Sequence, residues 1–142
     1  MWVRLKSKRH DKVYYFNEQT RESRWDKPKK TGYHIYHILI KHEKSRKPED
    51  IPVDEALERC NEVLSILERN KEHMDEDEFL ASFKRLAAKH SMCSSKKRGG
   101  DLGHIVKNEM VKEFEKVVFE LRIGEFKGPI STTCGYHIIY RR

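Results

Sequence analysis

The chain has 142 residues, enough for one domain of ordinary size plus a small appendage. Hydrophobic and charged residues each make up 37% of it and aromatics 10%, which excludes a chain disordered throughout. Lys and Arg number 30 against 23 Asp and Glu, a net charge of +7 that suits an anionic partner, and no apolar run approaches the ~18 residues of a membrane span.

The charge is concentrated at the start. Residues 1–33 hold ten Lys/Arg and four Asp/Glu, whereas the other 109 are nearly balanced. Met1 to Lys6 lacks the apolar centre of a secretory signal. Val13-Tyr14-Tyr15-Phe16 is aromatic and β-branched, a strand signal. Polar Ser7–Lys12 before it and Asn17–Thr20 after it read as turns, and a short strand ends at Trp25. This predicts a three-stranded meander of about thirty residues. Alternation places Tyr14 and Phe16 on one face and Tyr15 on the other. So small a sheet cannot bury all its aromatics, so one face is expected to present them to a ligand. Pro28-Lys29-Lys30-Thr31-Gly32 reads as a boundary.

A second segment follows. Ile35–Ile40 is strand-like. Asp50 and Pro52 open a helix whose apolar positions Val53, Ala56, Leu57, Cys60, Val63, Leu64 and Leu67 form one face. Asp75 and Glu78 read as a capping pair ahead of Phe79, Leu80, Phe83, Leu86 and Ala87. Val111, Phe114, Val117, Val118 and Leu121 define a third helix, closed by Gly124. Gly99–Gly103 reads as a glycine loop, Gly128-Pro129-Ile130 as a turn, and Tyr136–Tyr140 as a final strand. The order predicts an α+β domain on an antiparallel sheet.

The chemistry-bearing residues are few. His37 and His137 lie in the first and last strands of this segment, and Cys93 in the loop Ser91-Met92-Cys93-Ser94-Ser95. Two buried core histidines are the plain alternative. A cysteine-protease reading finds no acidic or amide orienter. Cys60, Cys93 and Cys134 are odd in number and far apart, which fits neither a disulfide framework nor a CxxC zinc site. No metal and no cofactor are expected, and a reducing compartment is. Lys41, Arg46 and Lys47 follow the first strand, and Lys96-Lys97-Arg98 follow Cys93. Such clusters are solvated loops or anion sites.

Residues 1–29 resemble a WW domain, through Trp2, the Tyr14-Tyr15-Phe16-Asn17 run, Trp25 and Pro28. The resemblance implies that Trp2, Tyr15 and Pro28 pack together, that Tyr14 and Trp25 clamp a proline, and that Ser7 and Lys8 hold a phosphoserine. Lys8 replaces a customary Arg and lacks its bidentate fork, so weaker phosphate binding is expected. Asp11 stands where the family has Gly, and only Met1 precedes Trp2 where a Leu-Pro pair is usual. The isolated module is therefore expected to be marginally stable.

Residues 34–142 resemble the parvulin family of peptidyl-prolyl isomerases. The carriers are His37-Ile38-Leu39-Ile40-Lys41-His42, Gly99-Gly100-Asp101-Leu102-Gly103, Phe114-Glu115 and Gly135-Tyr136-His137-Ile138-Ile139. With the module in front, the whole resembles the phosphorylation-dependent, Pin-type branch. That implies an α+β fold, a three-stranded antiparallel sheet followed by a four-stranded antiparallel sheet surrounded by helices. It implies isomerisation of phosphoSer/phosphoThr-Pro bonds by non-covalent amide twisting. His37, Cys93, Thr132 and His137 match the catalytic positions. Leu102, Met110 and Phe114 match the proline pocket, and Lys41, Arg46 and Lys47 the phosphate site. Ile105 replaces an aromatic, implying a looser pocket rim, and Cys134 replaces a Ser. The implied partners are phosphorylated Ser/Thr-Pro proteins, the RNA polymerase II tail among them. A nuclear and cytoplasmic monomer, binding neither membrane nor nucleic acid, is expected. A phosphopeptide adaptor with little turnover remains the competing reading. Residues 30–33 form the linker, and five residues from Lys29 span at most ~17 Å, so a restricted arrangement of the two parts is expected.

Overall fold

In the computed structural model, which describes residues 1–142, the short aromatic run forms the middle of a small sheet. Strands β1 (Trp2–Ser7), β2 (Lys12–Asn17) and β3 (Ser23–Arg24) are antiparallel in that order. Leu5 faces Tyr14, and Val3 faces Phe16. The opposite face carries Arg4, Tyr15 and Arg24. The turn between β1 and β2 closes on Asp11 at φ +51°, the left-handed region that Asp tolerates better than most residues. Pro28 is buried and Trp25 lies half in solvent.

The second sheet has the order β5-β4-β7-β6, all antiparallel. Its strands are β4 (Tyr33–Ile40), β5 (Asp101–Ile105), β6 (Phe126–Thr132) and β7 (Gly135–Arg141). Helices α1 (Val53–His73) and α2 (Glu76–His90) cover one face, and α3 (Lys112–Glu120) the other. The period-2 rule then sorts the central strands. Tyr36, Ile38, Ile40, Ile138 and Tyr140 enter the large core under α1 and α2, with Leu67, Phe79 and Phe83. Ile35 and Ile139 enter the smaller core with Phe114, Val118 and Leu121. His37 and His137 lie in phase with that second set, which is why both point toward α3 and not into the large core. The Asp75/Glu78 capping box at α2 forms as expected.

Four expectations need correction. The stretch at Gly99–Gly103 is not all loop, since Asp101 to Ile105 pairs with β4 as an edge strand. Gly128-Pro129-Ile130 is no turn; it lies inside β6, where the register slips between Lys127 and Ile130. Helix α3 starts one residue after Val111 and ends before Leu121. Tyr33, assigned to the linker, opens β4 opposite Ile105.

The two modules touch along the free edge of β1. Val3 forms a parallel bridge with Lys107, and the Arg4 N–H donates to the Lys107 carbonyl at 3.0 Å. Lys27 Nζ donates to the His104 carbonyl and to Glu109 Oε2, the latter at 3.0 Å. Val3 is the one buried residue of the three small strands. At the joint, Gly32 sits at φ +87° against the Ile105 carbonyl, where any Cβ would collide.

Candidate functional site

The paired register of β4 and β7 puts His37 opposite Ile139 and His137 opposite Leu39. The two imidazoles, diagonal neighbours, stack at 5.3 Å and share a hydrogen bond, Nδ1 to Nδ1, at 3.1 Å. On its far side His137 Nε2 is bonded to Thr132 Oγ1 at 2.7 Å. Thr132 Oγ1 also accepts the Cys134 N–H at 3.1 Å. Phe114 meets both rings edge-on, at 5.7 Å and 5.1 Å.

Both rings are buried, and burial pushes the His37 pKa down to about 4. Burial, and then repulsion from His37, brings His137 to about 3. Near neutrality both are therefore uncharged, and one Nδ1 donates to the other. The chain Thr132–His137–His37 is a string of neutral dipoles ending at His37 Nε2, a buried atom without a partner.

Cys93 reaches the same neighbourhood through its backbone. Ser91 Oγ accepts the N–H of Cys93 at 3.4 Å and that of Leu39 at 3.1 Å. Leu39 is the residue opposite His137. Neither imidazole hydrogen-bonds the Cys93 thiol: the rings bond each other and Thr132. That geometry does not support a protease dyad. Ser91 is the positioning group that sequence reasoning missed; its only sequence signal is its place two residues before Cys93.

Leu102 on β5, Met110 before α3 and Phe114 on α3 come together in the smaller core cluster. Phe114 is fully buried, and Leu102 and Met110 are half-buried and pack against that cluster. Ile105 belongs to this core at 3% exposure and does not rim a pocket. Its change from an aromatic is thus a matter of packing beneath the site.

Lys41 leaves the end of β4, and Arg46 and Lys47 follow on an exposed loop. None of the three takes part in an ion pair. The Arg46 N–H donates to the Thr133 carbonyl at 2.8 Å, which ties this loop to the β6–β7 turn beside Thr132. Lys96, Lys97 and Arg98 lie on a 3₁₀ turn, Ser94–Arg98, that Cys93 caps.

On the small sheet a cleft of about 610 Å³ is lined by Lys6, Ser7, Lys8, Arg9, Tyr14 and Trp25, among others. Tyr14 and Trp25 stand edge to face at 6.2 Å, and His10 adds a second edge on Trp25 at 5.3 Å. The Ser7 hydroxyl accepts the His10 N–H at 3.3 Å. Lys6 is paired with Asp11, whereas Lys8 and Arg9 have no counter-ion.

The residue pattern matches two known families. Residues 37–142 match the PPIC-type PPIase, or rotamase, domain, and residues 1–28 the WW domain. The chain belongs to the parvulin-type peptidyl-prolyl cis-trans isomerases and carries a WW domain in front of the enzyme domain. Its relatives across the full chain are enzymes of the Pin1/ESS1 kind. The "Peptidyl-prolyl cis-trans isomerase pin1" of Rhizopus delemar is 36% identical over 99% of this chain and 95% of its own length. The "Peptidyl-prolyl cis-trans isomerase ESS1" of Saccharomyces cerevisiae is 33% identical over 99% and 91%. Among solved structures, the peptidyl-prolyl isomerase ESS1 from Candida albicans superposes with a TM-score of 0.64 at 30% identity, covering 99% of this chain and 93% of that one.

Proposed function

We propose that this isomerase acts on phosphoSer-Pro and phosphoThr-Pro bonds in proteins, and that its WW domain binds the same motifs. One observation carries the reading: Lys41, Arg46 and Lys47 are three cations without internal counter-ions on the strand end and loop beside the paired histidines. A phosphate brings about −2 charge near neutral pH and pairs with such groups.

The reaction makes and breaks no covalent bond. The barrier of ~18–20 kcal/mol is the lost amide resonance, so the enzyme need only favour the twisted amide over either planar form. Leu102, Met110 and Phe114 hold the proline ring. The cations hold the phosphate on the preceding residue, and the bond between the two grips rotates. The neutral His37–His137–Thr132 chain, with Cys93 alongside, surrounds that amide with dipoles and no net charge. A planar amide gains more from solvation than a twisted one, so this setting favours the twist. On the WW cleft, Tyr14 and Trp25 take the proline, and Ser7 and Lys8 the phosphate. Phosphorylated proteins are the partners, met by a monomer in the nucleus and cytoplasm.

The test is cis/trans exchange on a pSer-Pro peptide and its unphosphorylated twin, read by NMR exchange spectroscopy with catalytic amounts of the full chain. Strong acceleration of the phosphorylated peptide alone is the expected result. Equal acceleration of both would refute the phosphate site, and binding without acceleration would make the chain an adaptor.

A further inference from the structure

We propose that His42 is a positioning residue that holds the basic loop in the shape that receives the phosphate. The inference rests on the phosphate reading of Lys41, Arg46 and Lys47 given above. His42 follows Lys41 directly and is buried at 7% exposure, although it sits at the head of an exposed, charged loop. Four hydrogen bonds converge on it. Its N–H donates to Ser45 Oγ at 2.9 Å. Its carbonyl accepts the N–H groups of Ser45 at 3.1 Å and Glu49 at 3.3 Å. Its ring Nδ1 accepts the Lys44 N–H at 3.1 Å.

The ring also lies 5.4 Å from that of Tyr136, the residue before His137 on β7. The rest of the loop is tied down as well, with the Glu43 N–H on the Ile51 carbonyl and the Arg46 N–H on the Thr133 carbonyl, each at 2.8 Å. Every backbone donor from His42 to Arg46 is thus committed. A loop fixed in this way has already given up the freedom that a phosphate would otherwise have to remove on binding. The Lys44 bond is the one that the His42 side chain makes: it requires a lone-pair acceptor at the Nδ1 position of a partly buried turn. Asn places its oxygen at the place of Nδ1, and Gln places its own one bond farther out.

The variants are His42→Asn, His42→Gln and, independently of the ring, Ser45→Ala, all in the full chain. The readouts are kcat and KM on the pSer-Pro peptide and its unphosphorylated twin, and amide hydrogen exchange at Lys44. We expect H42Q and S45A to lose about tenfold in kcat/KM on the phosphorylated peptide, mainly through KM, because each unties one backbone donor that holds the loop in shape. On the unphosphorylated twin both should stay within about twofold of the parent. Exchange at Lys44 should quicken by a similar factor in H42Q, and H42N should restore both readouts. Equal losses on the two peptides would show a role in general stability and overturn the proposal. So would full activity of H42Q and S45A on the phosphorylated peptide while the parent keeps its preference for it. A parent chain with no preference for the phosphorylated peptide would remove the phosphate reading itself, and this inference with it.

Discussion

The two modules reach their functional surfaces in opposite ways. The isomerase domain builds its centre from buried groups: His37, His137, Thr132 and Phe114 are all at or below 9% exposure, the first three hydrogen-bonded in a chain and Phe114 packed edge-on against both imidazoles. The WW domain builds its cleft from exposed ones, with Trp25 at 49% and the cations of the Ser7–Lys12 turn in solvent. A buried site is held by the same packing that holds the fold, so damage to one damages both. An exposed site can be changed at little cost to stability.

The sharpest break of this comparison is Phe114→Ala. The residue is fully buried and touches both histidines. Truncation should cost about 3–5 kcal/mol in thermal or denaturant unfolding and abolish measurable isomerisation. A variant that keeps its stability and loses only activity would show that this buried site can be damaged without damage to the fold, and would break the comparison.

Acid comes next. His37 and His137 titrate at about 4 and about 3 when folded, against 6.5 when unfolded. Between those values the unfolded state binds more protons, so stability falls as pH falls. Their contribution is complete above about pH 6.5 and lost on the way to pH 4 and below, on the order of 3 kcal/mol for His37 alone. The WW domain contains no buried histidine but both tryptophans of the chain. Acid titration should therefore melt the helical circular dichroism of the isomerase domain before tryptophan fluorescence reports loss of the small sheet. Coincident transitions would mean that the modules unfold as one.

Arg46→Ala with Lys47→Ala should lower kcat/KM on a pSer-Pro peptide by roughly fiftyfold and leave its unphosphorylated twin unchanged, without a shift in melting temperature. These cations are exposed members of the buried module, and they should behave like the WW surface. Equal loss on both peptides would deny them the phosphate.

These residues also mark what could be read from the chain alone. The helix faces under Leu67 and Phe83, the capping box at Asp75 and the period-2 strands at His37 and His137 were legible, because burial imposes a period on sequence. Strands β5 and β6 were not. Both are edge strands, one holding Gly103 and the other a Gly-Pro pair at a register slip, so both look like turns. Ser91 and His42 escaped for another reason. Each acts through hydrogen bonds to strand or loop backbone that no spacing announces.

Trp25→Ala tests the exposed end of the comparison. It should weaken phosphopeptide binding at the WW cleft by about tenfold, measured by fluorescence anisotropy, through loss of the aromatic wall that faces Tyr14. Activity on a short peptide should stay within about twofold, since no buried group is touched. A large fall in activity would mean that the enzyme site depends on the WW cleft.

The smallest effect is expected where the two designs meet. Lys27 is one-third exposed, yet its ammonium bridges the His104 carbonyl and Glu109 on the segment between β5 and α3. With the Arg4–Lys107 bond and a linker of a few residues, it should make the modules tumble together. Lys27→Met removes the charge but keeps the stem, and should cost about 1 kcal/mol. In NMR relaxation the parent chain should show one rotational correlation time for both modules. The variant should show two, if Lys27 supplies the hold. A variant that still tumbles as one body would move that role to the β1 edge, where the contact is made by backbone and no side-chain change would release it. Two correlation times in the parent would instead show that the contacts at Val3, Arg4 and Lys27 do not restrain the modules in solution.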